Sequence, residues 1–408
     1  MIALNELLNL SKACTCGNQH FSISIDEIVI SQNALDDVVA YLQKKSFKKA
    51  AIIADQTTYD IAGKRLSALI EEEKINYEVV IIQPNEQNDV VADEAALIEA
   101  MLGISQDAEV AIAVGSGTIH DITRFASFKM GKPFISIPTA PSVDGFNSMG
   151  APVVIKGVKT TFQMQSPIAL FADIGILQSA PREMIAAGFG DMIGKYTSLA
   201  DWKFSHLIAG EPYCPLSAKL TEEALENCVK HVEQISEVDE EGIKILIEAL
   251  IQSGLAMLLV GHSSPASGGE HHLSHYWEME FLKQNKSQVL HGAKVGVSAQ
   301  LILDLYKNDV LKLVSNSAQL EELRGESKEK LDMVIQQQHA VLEVLHSLPE
   351  AKVLSGLLQK LGGPLRPTHL GIPSDLVRNS LNEAHLLRKN RYTMLAFWNE
   401  HVGNHHYA

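Results

Sequence analysis

The sequence predicts two folded units, an α/β unit over residues 1–178 and an all-α unit over residues 179–408. Three observations carry this. At 408 residues the chain is too long to close around one small core. Its first part alternates short apolar runs with stretches of helical period. After about residue 180 the strand pattern stops, and helical patterns follow one another.

The runs KAAIIAD (49–55), YEVVIIQ (77–83), AEVAIAVG (108–115) and KPFISIPT (132–139) have the length and continuity of buried parallel strands. Amphipathic stretches such as TYDIAGKRLSALIEEEK and VVADEAALIEAMLGIS lie between them, which predicts a doubly wound sheet with right-handed crossovers. APVVIKGVKTTFQ reads as a hairpin and SPIALFAD as one more strand. The boundary falls near FADIGILQSAPRE, where Pro181 can open a helix. Beyond it, helices are predicted over 181–209, 217–236, 240–260, 270–284, 291–306 and 328–347.

Composition narrows the function. A net charge of −15, from 34 basic and 49 acidic side chains, repels phosphodiester backbones, and no basic stripe offsets it; nucleic acid is excluded as a partner. Four cysteines make no disulfide framework and fit a reducing cytoplasm. The N-terminus lacks the basic start and long apolar run of a signal peptide. The apolar stretch IKILIEALIQSGLAMLLVG carries Lys244 and Glu248 and reads as a buried bundle helix, so no membrane association is expected. Cys14, Cys16 and His20 resemble half of a zinc knuckle, but no second half follows them.

Two groups of residues carry chemistry. In the α/β part, Gly115, Ser116 and Gly117 join a buried strand to a helix, where backbone N–H groups can meet a phosphate. His120 stands where a dinucleotide fingerprint has its third glycine, so the turn alone is a weak signal. Asp55 ends another strand, where a carboxylate can bind ribose hydroxyls; a helix cap is the plainer reading. The polar loop IPTAPSVDGFNS brings Thr139, Ser142 and Ser148 for a cofactor and Asp144 for a substrate hydroxyl. In the helical part, Asp191, His271, His275 and His291 supply a carboxylate and imidazoles. One carboxylate and two imidazoles leave coordination positions open, as in a catalytic metal site. His271 and His275 are one turn apart on a helical face, whereas His272 points elsewhere.

Taken together, VGSGTIHD, IPTAPSVDGFNS, PIALFAD, APREMIAAGFGDMIGKY, SGGEH and LHGAKVG resemble the metal-dependent polyol dehydrogenase superfamily. That group includes glycerol dehydrogenases, iron-type alcohol dehydrogenases and dehydroquinate synthase. Within it, the SGGEHHLSH and LHG segments are most similar to the bacterial branch of the sn-glycerol-1-phosphate dehydrogenases. The glycine turn departs from the pattern, reading GSG where many members carry GGG.

The resemblance implies a dehydroquinate synthase-like fold with an N-terminal dinucleotide-binding domain. It implies NAD, with NADP as the alternative, held by Asp55, by Gly115, Ser116, Gly117, Thr118, Ile119, His120 and Asp121, and by Thr139, Ala140, Pro141, Ser142 and Ser148. It further implies one divalent metal, nickel or zinc rather than iron, on Asp191, His271 and His291. Asp144 and His275 are the catalytic candidates, and Asp144, Asp191 and His275 the substrate contacts. The implied reaction interconverts glycerol 1-phosphate and dihydroxyacetone phosphate; an unphosphorylated polyol is the alternative. Lys159, Lys195 and Lys294 are candidates for the substrate phosphate, and relatives are commonly dimers or larger.

Overall fold

A computed structural model describes residues 1–323, 329–389 and 391–403. Its central sheet has six parallel strands in the order β1 (Glu27–Ser31), β8 (Ala169–Asp173), β5 (Phe134–Pro138), β4 (Val110–Gly115), β2 (Lys49–Ala54) and β3 (Asn76–Ile81). Residues β6 (Gly150–Ile155) and β7 (Val158–Gln163) form the hairpin as a separate antiparallel pair. The strands are apolar on both faces because helices cover both. Ala50, Ile52 and Ala54 pack toward one helical layer, and Ala51 and Ile53 toward the other.

Strand β1 is the one the apolar runs did not announce. All five of its residues are half-buried, and it sits at the sheet edge beside β8.

After Asp173 every described element is helical. The apolar helix Glu240–Val260 runs through the middle of this part, and the apolar window that would let it cross a membrane is 89% buried in the fold. The predicted division at residue 178 falls at the end of the short helix Ile174–Gln178, directly behind the last strand. The stretch predicted as one helix over 328–347 is two, Glu329–Gln336 and Gln338–Ser347, and residue 328 lies outside the described residues.

One segment crosses that division. The first helix, Leu4–Ala13, buries Leu7 in the helical core. The terminal amine of Met1 pairs with Glu248 at 3.0 Å, and the Ile2 N–H donates to Gln252 at 3.0 Å. The start of the chain is therefore fastened to the helical part, not to the sheet.

Candidate active site

Strand β3 flanks β2 on one side and β4 flanks it on the other, so the winding reverses between β2 and β4. A crevice opens beyond the carboxyl ends of strands at such a reversal. Asp55 follows β2 there, and the glycine turn closes β4 and starts the helix Gly117–Lys129. Gly117 permits a close approach: a Cβ would stand 2.9 Å from Cγ2 of Val143 in the next loop.

The side chains around this turn are engaged with the fold itself. Asp55 caps the helix Gln56–Thr58, accepting the Thr58 N–H at 2.8 Å, while Thr58 Oγ1 accepts the Asp55 N–H at 3.1 Å. The His120 ring is fully buried between the Ser116 carbonyl, 2.9 Å away, and the Ser136 hydroxyl, 2.7 Å away. Thr139 joins its N–H to the Gly115 carbonyl at 3.1 Å. Buried Arg124 ties the turn to the next loop through Asp121 at 2.8 Å, Gly145 at 2.6 Å and Phe146 at 3.1 Å.

Three helices bring the other group together. Asp191 lies on Arg182–Ile193, His271 and His275 on Gly269–Lys283, and His291 begins His291–Leu305. The helices of Asp191 and His291 touch backbone to backbone, since Gly292 lies against the Ala187 carbonyl with no room for a Cβ. As a result one ligand atom each from Asp191, His271 and His291 falls within 4.8 Å of the others.

A ring of supporting groups orients this set. The Glu270 carboxylate lies 2.7 Å from His271 Nδ1 and also accepts the Thr197 hydroxyl and the Gly268 N–H, each at 2.6 Å. A carboxylate on Nδ1 leaves the Nε2 lone pair outward, 3.7 Å from Asp191 Oδ1. Burial lowers the pKa of both His271 and His291, which keeps the imidazoles in the neutral form a metal needs. His291 Nδ1 is buried with no partner among the described residues. The donor set and that orphaned nitrogen fit a divalent cation.

Lys195 corrects one expectation. Its ammonium is fully buried, 2.7 Å from Asp144 and 3.1 Å from Asp191, and it also donates to the Ala266 carbonyl at 3.1 Å. Burial raises the pKa of Asp191, the nearby Asp144 adds to this, and Lys195 opposes both. The lysine thus holds two carboxylates together and has no place at a substrate phosphate. Asp144 also accepts the Ser253 hydroxyl at 2.8 Å, and its N–H donates to Asp191 at 3.0 Å.

Both groups face one cavity of about 370 Å³. Ser116, Gly117, Thr118, Asp121, Ser142 and Ser148 line it from the sheet side, and His271, His275 and His291 from the helical side. Asp55, Gly115, Ile119, His120, Thr139, Ala140, Pro141 and Asp191 do not line it. The His275 ring is centred 6.1 Å from His271 and 5.9 Å from His291.

Lys159 and Lys294, two of the phosphate candidates, line the cavity around one carboxylate, Glu278, at 2.8 and 3.0 Å, and the sequence did not announce that carboxylate. Burial works against that carboxylate, but the two lysines hold its pKa well below the usual range. Arg388 also faces the cavity, from a segment without any matching motif. Glu270 stands beside His271 in SGGEHH, yet adjacent helical positions do not ordinarily face each other. His272, off the face that His271 and His275 share, is fully buried, with neither ring nitrogen bonded among the described residues.

A family model described as iron-containing alcohol dehydrogenase matches residues 29–181. The chain is 50% identical to glycerol-1-phosphate dehydrogenase, NAD(P)+, of Geobacillus stearothermophilus, over 97% of this chain and 98% of that relative. It is 51% identical to the protein of the same name from Geobacillus thermodenitrificans, again over 97% and 98%. Among solved structures, a putative alcohol dehydrogenase from Ralstonia eutropha JMP134 superposes with a TM-score of 0.65 at 15% identity, covering 95% of this chain and 99% of the other. At that identity the likeness is one of fold.

Proposed function

The chain belongs to the glycerol-1-phosphate dehydrogenase family, and from that premise we propose how its own residues carry the reaction. It is an NAD(P)-dependent oxidoreductase. Hydride passes reversibly between C2 of glycerol 1-phosphate and the nicotinamide, giving dihydroxyacetone phosphate, NAD(P)H and a proton. The observation that supports this most is that Asp191 clusters with His271 and His291, and these two histidines line the same cavity as the glycine turn.

Asp191, His271 and His291 would hold the metal, nickel or zinc in preference to iron. When bound, a divalent cation supplies Lewis acidity at the substrate's C2 oxygen. His275, kept neutral because burial lowers its pKa, takes the hydroxyl proton in the forward direction and returns it in reverse. Asp144, fixed by Lys195 and Ser253, orients the hydroxyl. Lys159 and Lys294 share the single carboxylate of Glu278, so the trio keeps a net positive charge for the phosphate.

The turn Gly117–Asp121, with Ser142 and Ser148, receives the cofactor diphosphate, and Asp55 at the reversal point favours NAD over NADP. The cysteine usage supports a cytoplasmic setting, and the resemblance supports a homodimer or larger assembly.

Side-by-side turnover tests the substrate. NADH oxidation is expected to be much faster with dihydroxyacetone phosphate than with dihydroxyacetone. Equal kcat/KM for the two would rule out a phosphate subsite.

A further inference from the structure

The cavity uses none of the chain's four cysteines, and three of them meet elsewhere. Cys14, Cys16 and His20 form half of a knuckle in the sequence. The fold supplies the missing member, because Cys214 reaches the same point from 194 residues beyond His20. The four ligand atoms lie within 4.8 Å of one another. Cys14 Sγ is 3.9 Å from Cys214 Sγ. His20 Nε2 is 3.3 Å from Cys214 Sγ and 3.4 Å from Cys16 Sγ.

These separations can be compared with a coordination polyhedron. Tetrahedral zinc, with Zn–S of about 2.3 Å and Zn–N of about 2.0 Å, has S···S edges of about 3.8 Å and S···N edges of about 3.5 Å. The observed distances are close to those edges.

The imidazole is also aimed. His20 Nδ1 lies 3.0 Å from the Ser11 carbonyl oxygen, which can only accept, so Nδ1 carries the proton. The Nε2 lone pair therefore faces the sulfurs, as in a ligating histidine fixed by its other nitrogen. A cluster of thiols serving only as small apolar side chains has no use for an imidazole held in that tautomer. The Ser217 N–H points at Cys214 Sγ from 3.5 Å. Burial opposes ionisation of Cys16, but the Asn18 backbone and the neighbouring thiols bring its pKa down to about 7.

We propose that Cys14, Cys16, His20 and Cys214 form a second metal site, a structural Cys3His site for one zinc ion. Four protein ligands leave no open position, so the ion takes no part in the hydride transfer.

Its consequence is mechanical. Phe21, next to His20, donates its N–H to the Leu259 carbonyl at 2.9 Å, and its ring fills the space where a Cβ of Gly261 would stand. Asn18 donates to the Tyr213 carbonyl at 2.8 Å. Gly261 and His262 line the active cavity and lead toward the His271 helix. The ion thus fastens the N-terminal segment to the start of the helix Pro215–Lys230, and Phe21, next to the ligand His20, packs against the cavity-wall loop at Gly261.

The test uses the full-length protein and does not depend on the active-site reading. Elemental analysis of the Cys14→Ser, Cys16→Ser double variant is expected to show one zinc fewer per chain than wild type. If that variant does not fold, wild type reconstituted with cobalt(II) decides. A sulfur-to-cobalt charge-transfer band is expected, and it should persist in His271→Ala, because an Asp-His-His set has no sulfur to produce it. An unchanged metal count in the folded double variant would overturn the proposal. So would cobalt-loaded wild type without the sulfur band, or a Cys14–Cys214 disulfide in freshly purified protein.

Discussion

On the sheet side of the cavity, several polar side chains turn back into the fold. Asp55 caps a short helix, His120 bonds to Ser116 and Ser136, and Arg124 clamps the following loop. On the helical side they turn outward: His271, His275, His291 and Lys294 all face the cavity, where Lys159 of the hairpin strand β7 joins them. The first region presents backbone N–H groups on a scaffold of buried polar contacts. The second presents side chains, each steadied by a neighbour such as Glu270 or Glu278. Substitutions should therefore act differently in the two regions, severely where side chains do the chemistry and mildly where the backbone does.

The largest effect expected from a supporting residue is at Glu270. Glu270→Gln keeps the size but weakens the acceptor on His271 Nδ1, and metal affinity should fall about 10- to 100-fold. A competition titration with a chelator would read this, and unchanged affinity would reduce Glu270 to a packing role. Lys294→Met comes next. Losing a hydrogen bond to a charged group, about 1.5–3 kcal/mol, should raise KM for dihydroxyacetone phosphate roughly tenfold or more. The dihydroxyacetone rate should stay as it was; a parallel loss on both substrates would remove the phosphate assignment.

The sheet side is expected to respond less. Gly117→Ala pushes a Cβ toward Val143, and about 1 kcal/mol of crowding should weaken cofactor KM roughly fivefold. An effect as large as that of Glu270→Gln would break the contrast between the halves. The smallest change belongs to Asp55→Asn. Asparagine still caps the helix, so melting should shift little, while relative use of NADP rises a few fold. If the NADP to NAD ratio stays fixed, Asp55 is a cap and nothing more.

Much of the fold could be read from the sequence because buried parallel strands are continuous apolar runs, and β2, β4 and β5 are such runs. Strand β1 could not, since EIVIS is short, half-buried and at the edge. The packing of Leu4–Ala13 on the helical part was also hidden, because an amphipathic helix does not state which core it joins.

The candidate ligands were legible as residue types within motifs. Their supports were not. The pairing of Lys195 with Asp144, that of Glu278 with lysines from two elements, and the approach of Cys214 to His20 are long-range facts without local period. Lys195 shows the error this causes: a candidate for the substrate phosphate in the sequence, it is enclosed between two carboxylates.

The most direct test of the account is made at His271. Metal content and NADH oxidation with dihydroxyacetone phosphate are measured together in wild type and His271→Ala. The variant should bind one metal ion fewer per chain, and its kcat/KM should fall by about 10³-fold or more, several kcal/mol of barrier. Normal metal content with near-native turnover would contradict the assignment of Asp191, His271 and His291 as the site of the reaction.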